Sequence, residues 1–194
     1  MLAYVLTFGR IVLAGAFATC LAGFAGAGPL TGAAAGVLLA LAAAEELTDI
    51  FDGMAARHAG TVTPLGGILD PLVDSLARLT IYFSLALAGW VSLAVPFVMA
   101  GRDIVVAYAR IACAAAGVST SARTSGKIKA VVQGAGILAL ILLASGAPRE
   151  AASGPGGGGR TGVEVVLIAV TVWSLVDYVR AAWPAVRTMG RPGR

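Results

Sequence analysis

The sequence predicts an all-α integral membrane protein: one domain over residues 1–194, built as a bundle of six transmembrane helices. Three observations predict it. Hydrophobic residues make up 58% of the chain and charged residues only 12%, whereas a soluble domain is about half apolar and about a quarter charged. Mean hydropathy is +0.89. The apolar residues also fall into six segments, and the 194 residues accommodate six spans at about 20 residues each. This low charge density excludes a disordered tail and an ordinary soluble enzyme. The 14 basic residues are too dispersed for a nucleic-acid-binding surface, so no nucleic-acid partner is expected. The net charge of +4 reads as the cytoplasmic loops of a membrane protein.

The first segment covers about residues 6–24. It resembles a signal peptide in its small apolar residues, but the chain never turns soluble afterwards, so a first helix is the better reading. Gly26, Gly28 and Pro29 make a turn. The second segment, 30–57, is uninterrupted to Ala44 and then acquires Glu45, Glu46, Asp49 and Asp52. The third, 66–88, carries Asp70 and Asp74 in its first turns, and the fourth, 90–116, has Pro96 as an expected kink. The fifth covers 127–144 and the sixth 163–183. Between these two, residues 147–162 read as a flexible glycine-rich loop, with no lysine or Ser/Thr at the spacing that cradles phosphate.

Trp90, Trp173 and Trp183 fall near segment ends, as interface anchors do. Cys20 and Cys113 read as small buried hydrophobes, and with His58 the one histidine, a zinc site of the usual kind is excluded. An N-terminus in the cytoplasm puts Arg57, Arg123, Lys127, Lys129, Arg180, Arg187, Arg191 and Arg194 inside and leaves only Arg149 and Arg160 in outer loops. The positive-inside rule favours that orientation in the cytoplasmic membrane, with the functional end facing the cytoplasm.

Carboxylates in or beside a span are costly and mark function. Asp49 and Asp52 are three apart and share one helix face; Asp70 and Asp74 are four apart and share another. The short link between the two helices makes them expected antiparallel neighbours, with the four acids converging near the cytoplasmic interface. Four carboxylates repel one another, and Arg57 and Arg78 compensate only in part. Hard oxygen ligands in that number suit Mg²⁺, Mn²⁺ or Ca²⁺, and two such ions clamp a phosphoryl group. Gly53, Ala56 and Gly66 are small enough beside the acids for a flat ligand to approach. Glu45 and Glu46 read as an interfacial polar rim, and Asp103 and Asp177 as members of structural ion pairs. A small cation transporter is the reading from another class, but the acids cluster at one interface instead of along a path through the bilayer.

The spacing Asp49-x-x-Asp52-Gly53-x-x-Ala56-Arg57, eight residues, then Gly66-x-x-x-Asp70-x-x-x-Asp74 resembles the signature of the CDP-alcohol phosphotransferase family at every defined position. The resemblance implies that family's six-helix membrane fold and a homodimer. It implies two divalent ions, Mg²⁺ or Mn²⁺, held by Asp49, Asp52, Asp70 and Asp74. It implies a CDP site shaped by Asp49, Asp52, Gly53, Ala56, Arg57 and Gly66, and Asp74 as the general base for the acceptor hydroxyl. Outside the signature, Leu6-Thr7-Phe8-Gly9-Arg10-Ile11, Leu69-Asp70-Pro71-Leu72-Val73-Asp74, Arg102-Asp103 with Arg110, Gly126-Lys127-Ile128-Lys129 with Gln133, and Trp173-Ser174 with Asp177-Tyr178 are similar to the bacterial branch that makes phosphatidylglycerophosphate. That similarity implies transfer of a phosphatidyl group from CDP-diacylglycerol in the lipid bilayer to glycerol 3-phosphate. Tyr4, Ser75, Asp103 and Ala130 stand where that branch often has Asn, Lys, Glu and Thr. Inositol phosphate, or phosphatidylglycerol to give cardiolipin, are the alternative acceptors.

A dianionic acceptor needs cations. Arg102 and Arg110 are eight apart, within about 80° of one another on a helix. With Lys127 and Lys129 they form the expected acceptor-phosphate site, arginine by bidentate hydrogen bonds and lysine as a point charge.

Overall fold

A computed structural model describes residues 2–26, 30–59, 66–118, 123–145 and 158–189, with side chains over 9–24, 30–48, 69–118, 123–145 and 158–187. Among the described residues there are six helices: α1 (Leu2–Gly26), α2 (Gly32–Ala59), α3 (Gly66–Leu87), α4 (Ala94–Ala115), α5 (Thr124–Ser145) and α6 (Gly158–Met189). The expected segments are present with small shifts. α6 begins at Gly158, inside the stretch expected to be a loop, because Arg160 pairs with Glu164 one turn on at 3.1 Å and the Cβ position of Gly159 meets Leu143 of α5. The rest of the glycine-rich stretch, 146–157, lies outside the described residues.

α3 and α4 end alike. Gly89 (φ 78°) and Gly117 (φ 71°) take the left-handed conformation open to glycine. The next residues close the helices, Trp90 N–H donating to the Leu85 carbonyl at 2.8 Å and Val118 N–H to that of Cys113 at 2.9 Å. Pro96 does not kink α4: the helix starts at Ala94, so the proline sits in the first turn, where its missing N–H costs nothing. Trp90 is no interface anchor either. The Gly89 turn folds it and Val91 into the core, while Trp173 and Trp183 are exposed.

Each helix packs chiefly on two others, giving the order α1–α2–α5–α6–α4–α3 around the bundle. α2 and α3 both pack on α1, and Arg78 of α3 reaches Glu46 of α2 directly. One end of the bundle is apolar inside, with Phe17, Leu21, Leu38, Leu85, Val91 and Ile141 buried. The other end, towards the start of α1, α3 and α5 and the end of α2, α4 and α6, has Arg10, Glu45, Arg78, Arg102 and Lys129 buried at or leading into it. Between them lies a polar belt: the Tyr82 hydroxyl donates to the Gln133 carbonyl at 2.6 Å, and Gln133 Nε2 donates to Thr171 Oγ1 at 3.0 Å.

The outside is the reverse, with Leu87, Val131, Val12 and Tyr108 all at least 70% exposed. Two helices, Thr124–Ser145 and Gly158–Arg187, are long and apolar enough to cross a membrane, at mean hydropathy 2.0 and 1.8. Six were expected. α1 offers a shorter apolar stretch, Gly9–Phe24, and α3 and α4 interrupt theirs with Asp70, Asp74 and Arg78, and with Arg102, Asp103 and Arg110.

Glycines set the closest approaches. A Cβ on Gly134 of α5 would stand 2.6 Å from the Glu46 carboxyl carbon of α2. Gly101 of α4 has open space. Gly134→Ala is expected to cost up to about 2 kcal/mol, overpacking of about 1–3 set against about 1 returned by alanine's helix propensity. Gly101→Ala is expected to gain about 0.5–1 kcal/mol. Thermal unfolding of the two variants in detergent checks the opposite signs.

Candidate active site

Two groups of charged residues occupy the polar end. The first joins α1, α2 and α3. Arg10, 2% exposed, donates through Nη2 to Glu45 Oε1 at 3.1 Å and through Nη1 to Asp74 Oδ1. Arg78 Nη2 donates to both Glu46 oxygens at 3.1 and 3.2 Å. Glu45 is fully buried. Of the rim expected of Glu45 and Glu46, Glu46 keeps a side chain 25% exposed, while Glu45 is interior: with α1 and α3 packed against that face of α2, its carboxylate needs a cation in place of water.

Asp70 and Asp74 sit in the early turns of α3, Asp70 exposed and the Asp74 side chain one-third exposed. Asp49 and Asp52 occupy the last turns of α2, one and two turns beyond Glu46, which the Arg78 contact draws against α3. The side chains of Asp49, Asp52, Ala56 and Arg57, with Gly53 and Gly66, lie outside the described side chains. Among the described residues no three His, Cys, Asp or Glu come together as a metal-binding group; half of the expected set of four is not among them.

The second group joins α4, α5 and α6. Asp103 accepts from Arg102 Nη1 at 2.8 Å and from Lys129 Nζ at 3.1 Å. Arg102 Nη2 donates to Ser174 Oγ at 2.8 Å. The Arg102 and Arg110 guanidinium carbons lie 5.1 and 5.5 Å from the centre of the Tyr178 ring, a cation–π attraction strengthened by desolvation. The Tyr178 hydroxyl accepts from Arg110 Nη2 at 3.1 Å and from the Arg123 backbone N–H at 3.3 Å. Arg123, just before α5, grips Asp177 by two hydrogen bonds at 2.6 and 2.8 Å. These bonds to Asp177 hold its guanidinium above the ordinary arginine range. Ser125 Oγ donates to the same carboxylate at 2.5 Å.

Three of the four expected acceptor-site cations, Arg102, Arg110 and Lys129, therefore meet around Asp103 and Tyr178. Lys127 does not: two residues from Lys129 on a helix, it turns to the exposed side. Asp103 and Asp177 are ion-pair members as expected. Arg102 and Lys129 thus pair with Asp103, Arg123 pairs with Asp177, and Arg110 meets the Tyr178 hydroxyl, so that four cations gather around two carboxylates and a tyrosine. Arg102 and Arg110 each keep a buried Nε–H that no described residue accepts.

Arg10 and Tyr178 are site residues that spacing alone did not single out. The signal for Arg10 was present: an arginine inside an apolar run faces a cavity or a partner, the rule applied to Arg102.

A model of the CDP-alcohol phosphatidyltransferase family matches residues 1–176. The chain belongs to this family. A CDP-diacylglycerol–glycerol-3-phosphate 3-phosphatidyltransferase of Pseudomonas fluorescens is 34% identical over 165 residues, 81% of this chain and 79% of that protein. A probable phosphatidylglycerophosphate synthase of Mycobacterium tuberculosis is 33% identical over 181 residues, 93% of this chain and 81% of that protein. An archaetidylinositol phosphate synthase of Pyrococcus horikoshii is 38% identical over 88 residues, 45% of each chain. The chain is thus a member of an enzyme family that transfers phosphatidyl groups from CDP-alcohols, closely related to phosphatidylglycerophosphate synthase-like enzymes.

Removing the charge of Asp103 leaves Arg102 and Lys129 buried beside one another. Asp103→Asn is expected to destabilise the fold by about 3–5 kcal/mol, the cost of breaking a buried pair by one partner. Asp177→Asn, whose partner Arg123 lies just before α5 with its side chain in reach of water, is expected to melt much closer to wild type. Detergent melting curves of both variants check the ranking.

Proposed function

We propose that this protein spans the cytoplasmic membrane and transfers the phosphatidyl group of CDP-diacylglycerol to glycerol 3-phosphate, releasing CMP on the cytoplasmic side. One observation carries the acceptor: the basic group of Arg102, Arg110, Arg123 and Lys129 stands at the same end of the bundle as Asp70 and Asp74. A phosphate dianion suits such a basic group, arginine by paired hydrogen bonds and lysine as a point charge. Phosphatidylglycerol lacks a terminal phosphate monoester and would not need these cations as a cluster. The relatives from Pseudomonas fluorescens and Mycobacterium tuberculosis, named for glycerol 3-phosphate or its product, support the same acceptor.

The membrane reading rests on inversion. Charged side chains are inside and large apolar ones outside, the arrangement a lipid solvent favours. The apolar core at the far end of the bundle supports a one-sided site over a cation path.

Asp70 and Asp74, with Asp49 and Asp52 on the neighbouring α2, are all hard oxygen donors and fit Mg²⁺ or Mn²⁺. Two such ions would neutralise the diphosphate and the departing CMP. The residues of the chain do the rest. Gly53, Ala56, Arg57 and Gly66 shape the nucleotide site, and the cations of α4 and α5 hold the acceptor phosphate so that its hydroxyl faces Asp74. Asp74 takes the hydroxyl proton; the oxygen bonds to the β-phosphorus, and the bond from that phosphorus to the CMP oxygen breaks.

Purified protein with CDP-diacylglycerol and Mg²⁺ is expected to release CMP with glycerol 3-phosphate and not with inositol phosphate, phosphatidylglycerol or serine. Release with a different acceptor overturns the acceptor assignment. EDTA is expected to stop turnover, and Mg²⁺ or Mn²⁺ to restore it. Asp74→Asn is expected to lose turnover by at least about 100-fold while keeping CDP affinity, and Arg110→Ala to raise KM for glycerol 3-phosphate more than KM for CDP-diacylglycerol. Equal rises for both substrates would show Arg110 to be structural.

A further inference from the structure

We propose that Arg10, held by the buried carboxylate of Glu45, is the positioning residue for Asp74, so that the first helix sets the geometry of the reacting acid. This rests on the reading of Asp74 given above. α1 is packed against both α2 and α3, and Arg10 is the point where it touches an acid on each: Glu45 through one terminal nitrogen and Asp74 through the other. Arg10 is 2% exposed and Glu45 fully buried, so the guanidinium has little freedom to swing.

Glu45 has one oxygen on Arg10 and its other oxygen without a hydrogen-bond partner among the described residues. A half-satisfied carboxylate in an apolar bundle is a poor stabilising device. It makes sense as an orienting one. The planar fork of arginine cannot turn toward Glu45 and Asp74 at once in more than one way, so fixing one terminal nitrogen fixes the other. Asp74 itself is one-third exposed and stands in an early turn of α3. It is the member of the chain of three that faces the site, and the two buried members stand behind it. Glu46–Arg78, one residue and one helical turn along, ties α2 to α3 without touching Asp74 through any hydrogen bond of its own. It serves as the structural comparison.

The test uses the full-length protein in detergent with Arg10→Gln, Arg10→Lys, Glu45→Gln and the double variant Arg10→Gln/Glu45→Gln, and with Asp74→Asn as reference. Melting temperature, Kd for CDP in Mg²⁺, and kcat and KM for CMP release are measured on each. Arg10→Gln is expected to lower kcat by about 100-fold, the effect of misplacing a reacting group by about 1 Å, with Kd for CDP and KM for CDP-diacylglycerol within about threefold of wild type. Arg10→Lys is expected to recover about tenfold of that loss, since one ammonium reaches Asp74 but not both acids. Glu45→Gln is expected to lower kcat by about tenfold with Kd for CDP within about threefold of wild type, whatever the change in melting temperature. The double variant is expected to be no slower than Arg10→Gln, because the two residues act in series.

Full turnover in Arg10→Gln or in Glu45→Gln overturns the proposal. So do losses that multiply in the double variant, or a fall in CDP affinity that tracks kcat. If Arg10→Gln fails to fold, Glu45→Gln, a neutral isostere, decides by the same criteria. Asp74→Asn separates the two readings: turnover kept in that variant removes the role of Asp74, while turnover lost there and kept in Arg10→Gln removes only the role of Arg10.

Discussion

The bundle depends on the pairing of opposite charges in an interior where water does not reach them. Arg10, Glu45, Arg78, Arg102 and Lys129 are all buried, and an isolated charge in such a place costs several kcal/mol even after relaxation. Each is met by a partner, from a different helix in every case but one: Arg10 by Glu45 and Asp74, Arg78 by Glu46, Lys129 by Asp103, and Arg102 by the adjacent Asp103. These pairs fix helix register more strictly than apolar contacts do, because a slide of one turn separates the charges. Apolar packing fills the opposite half of the bundle, where Phe17, Leu21, Leu38 and Leu85 need only complementary volume.

That division of labour explains the position of the site. Polar halves of six helices are collected at one end because the chain alternates direction, so the start of α1, α3 and α5 meets the end of α2, α4 and α6. The acids of α2 and α3 stand on one side of this end and the cations of α4 and α5 on the other. Small residues bring the sides together: Gly134 lets Glu46 of α2 lie against α5, and Gly126 lets the Tyr178 ring of α6 lie against the start of α5. On the function proposed here, the acids would form a nucleotide half and the cations an acceptor half on one face, the arrangement an in-line transfer between two phosphorylated substrates requires.

Much of this was legible before any coordinates. The six segments, the acids three and four apart, and the arginine pair of α4 follow from periodicities of the helix itself. Family membership could be read from the signature spacing, since Asp49 to Asp74 lie on two adjacent helix ends and their spacing is local. The misreadings came from distant contacts. Glu45 looked like part of a rim because residues on a helix end carry no mark of which neighbour covers them. Trp90 looked like a lipid anchor because the left-handed turn at Gly89, which folds it inward, is set by the helix-end hydrogen bonds and not by the tryptophan.

By itself, then, the sequence determined the all-helical class, the order of the helices and the family signature. It did so because composition and helical spacing are properties of short stretches. Tertiary structure alone decided that α1 packs on both α2 and α3, that Arg10 reaches Asp74, that Lys129 turns inward while Lys127 turns out, and that Tyr178 receives both arginines of α4. These are contacts between residues up to about 70 positions apart. Which charge meets which is settled by the one packing of six helices that leaves fewest of them unpaired.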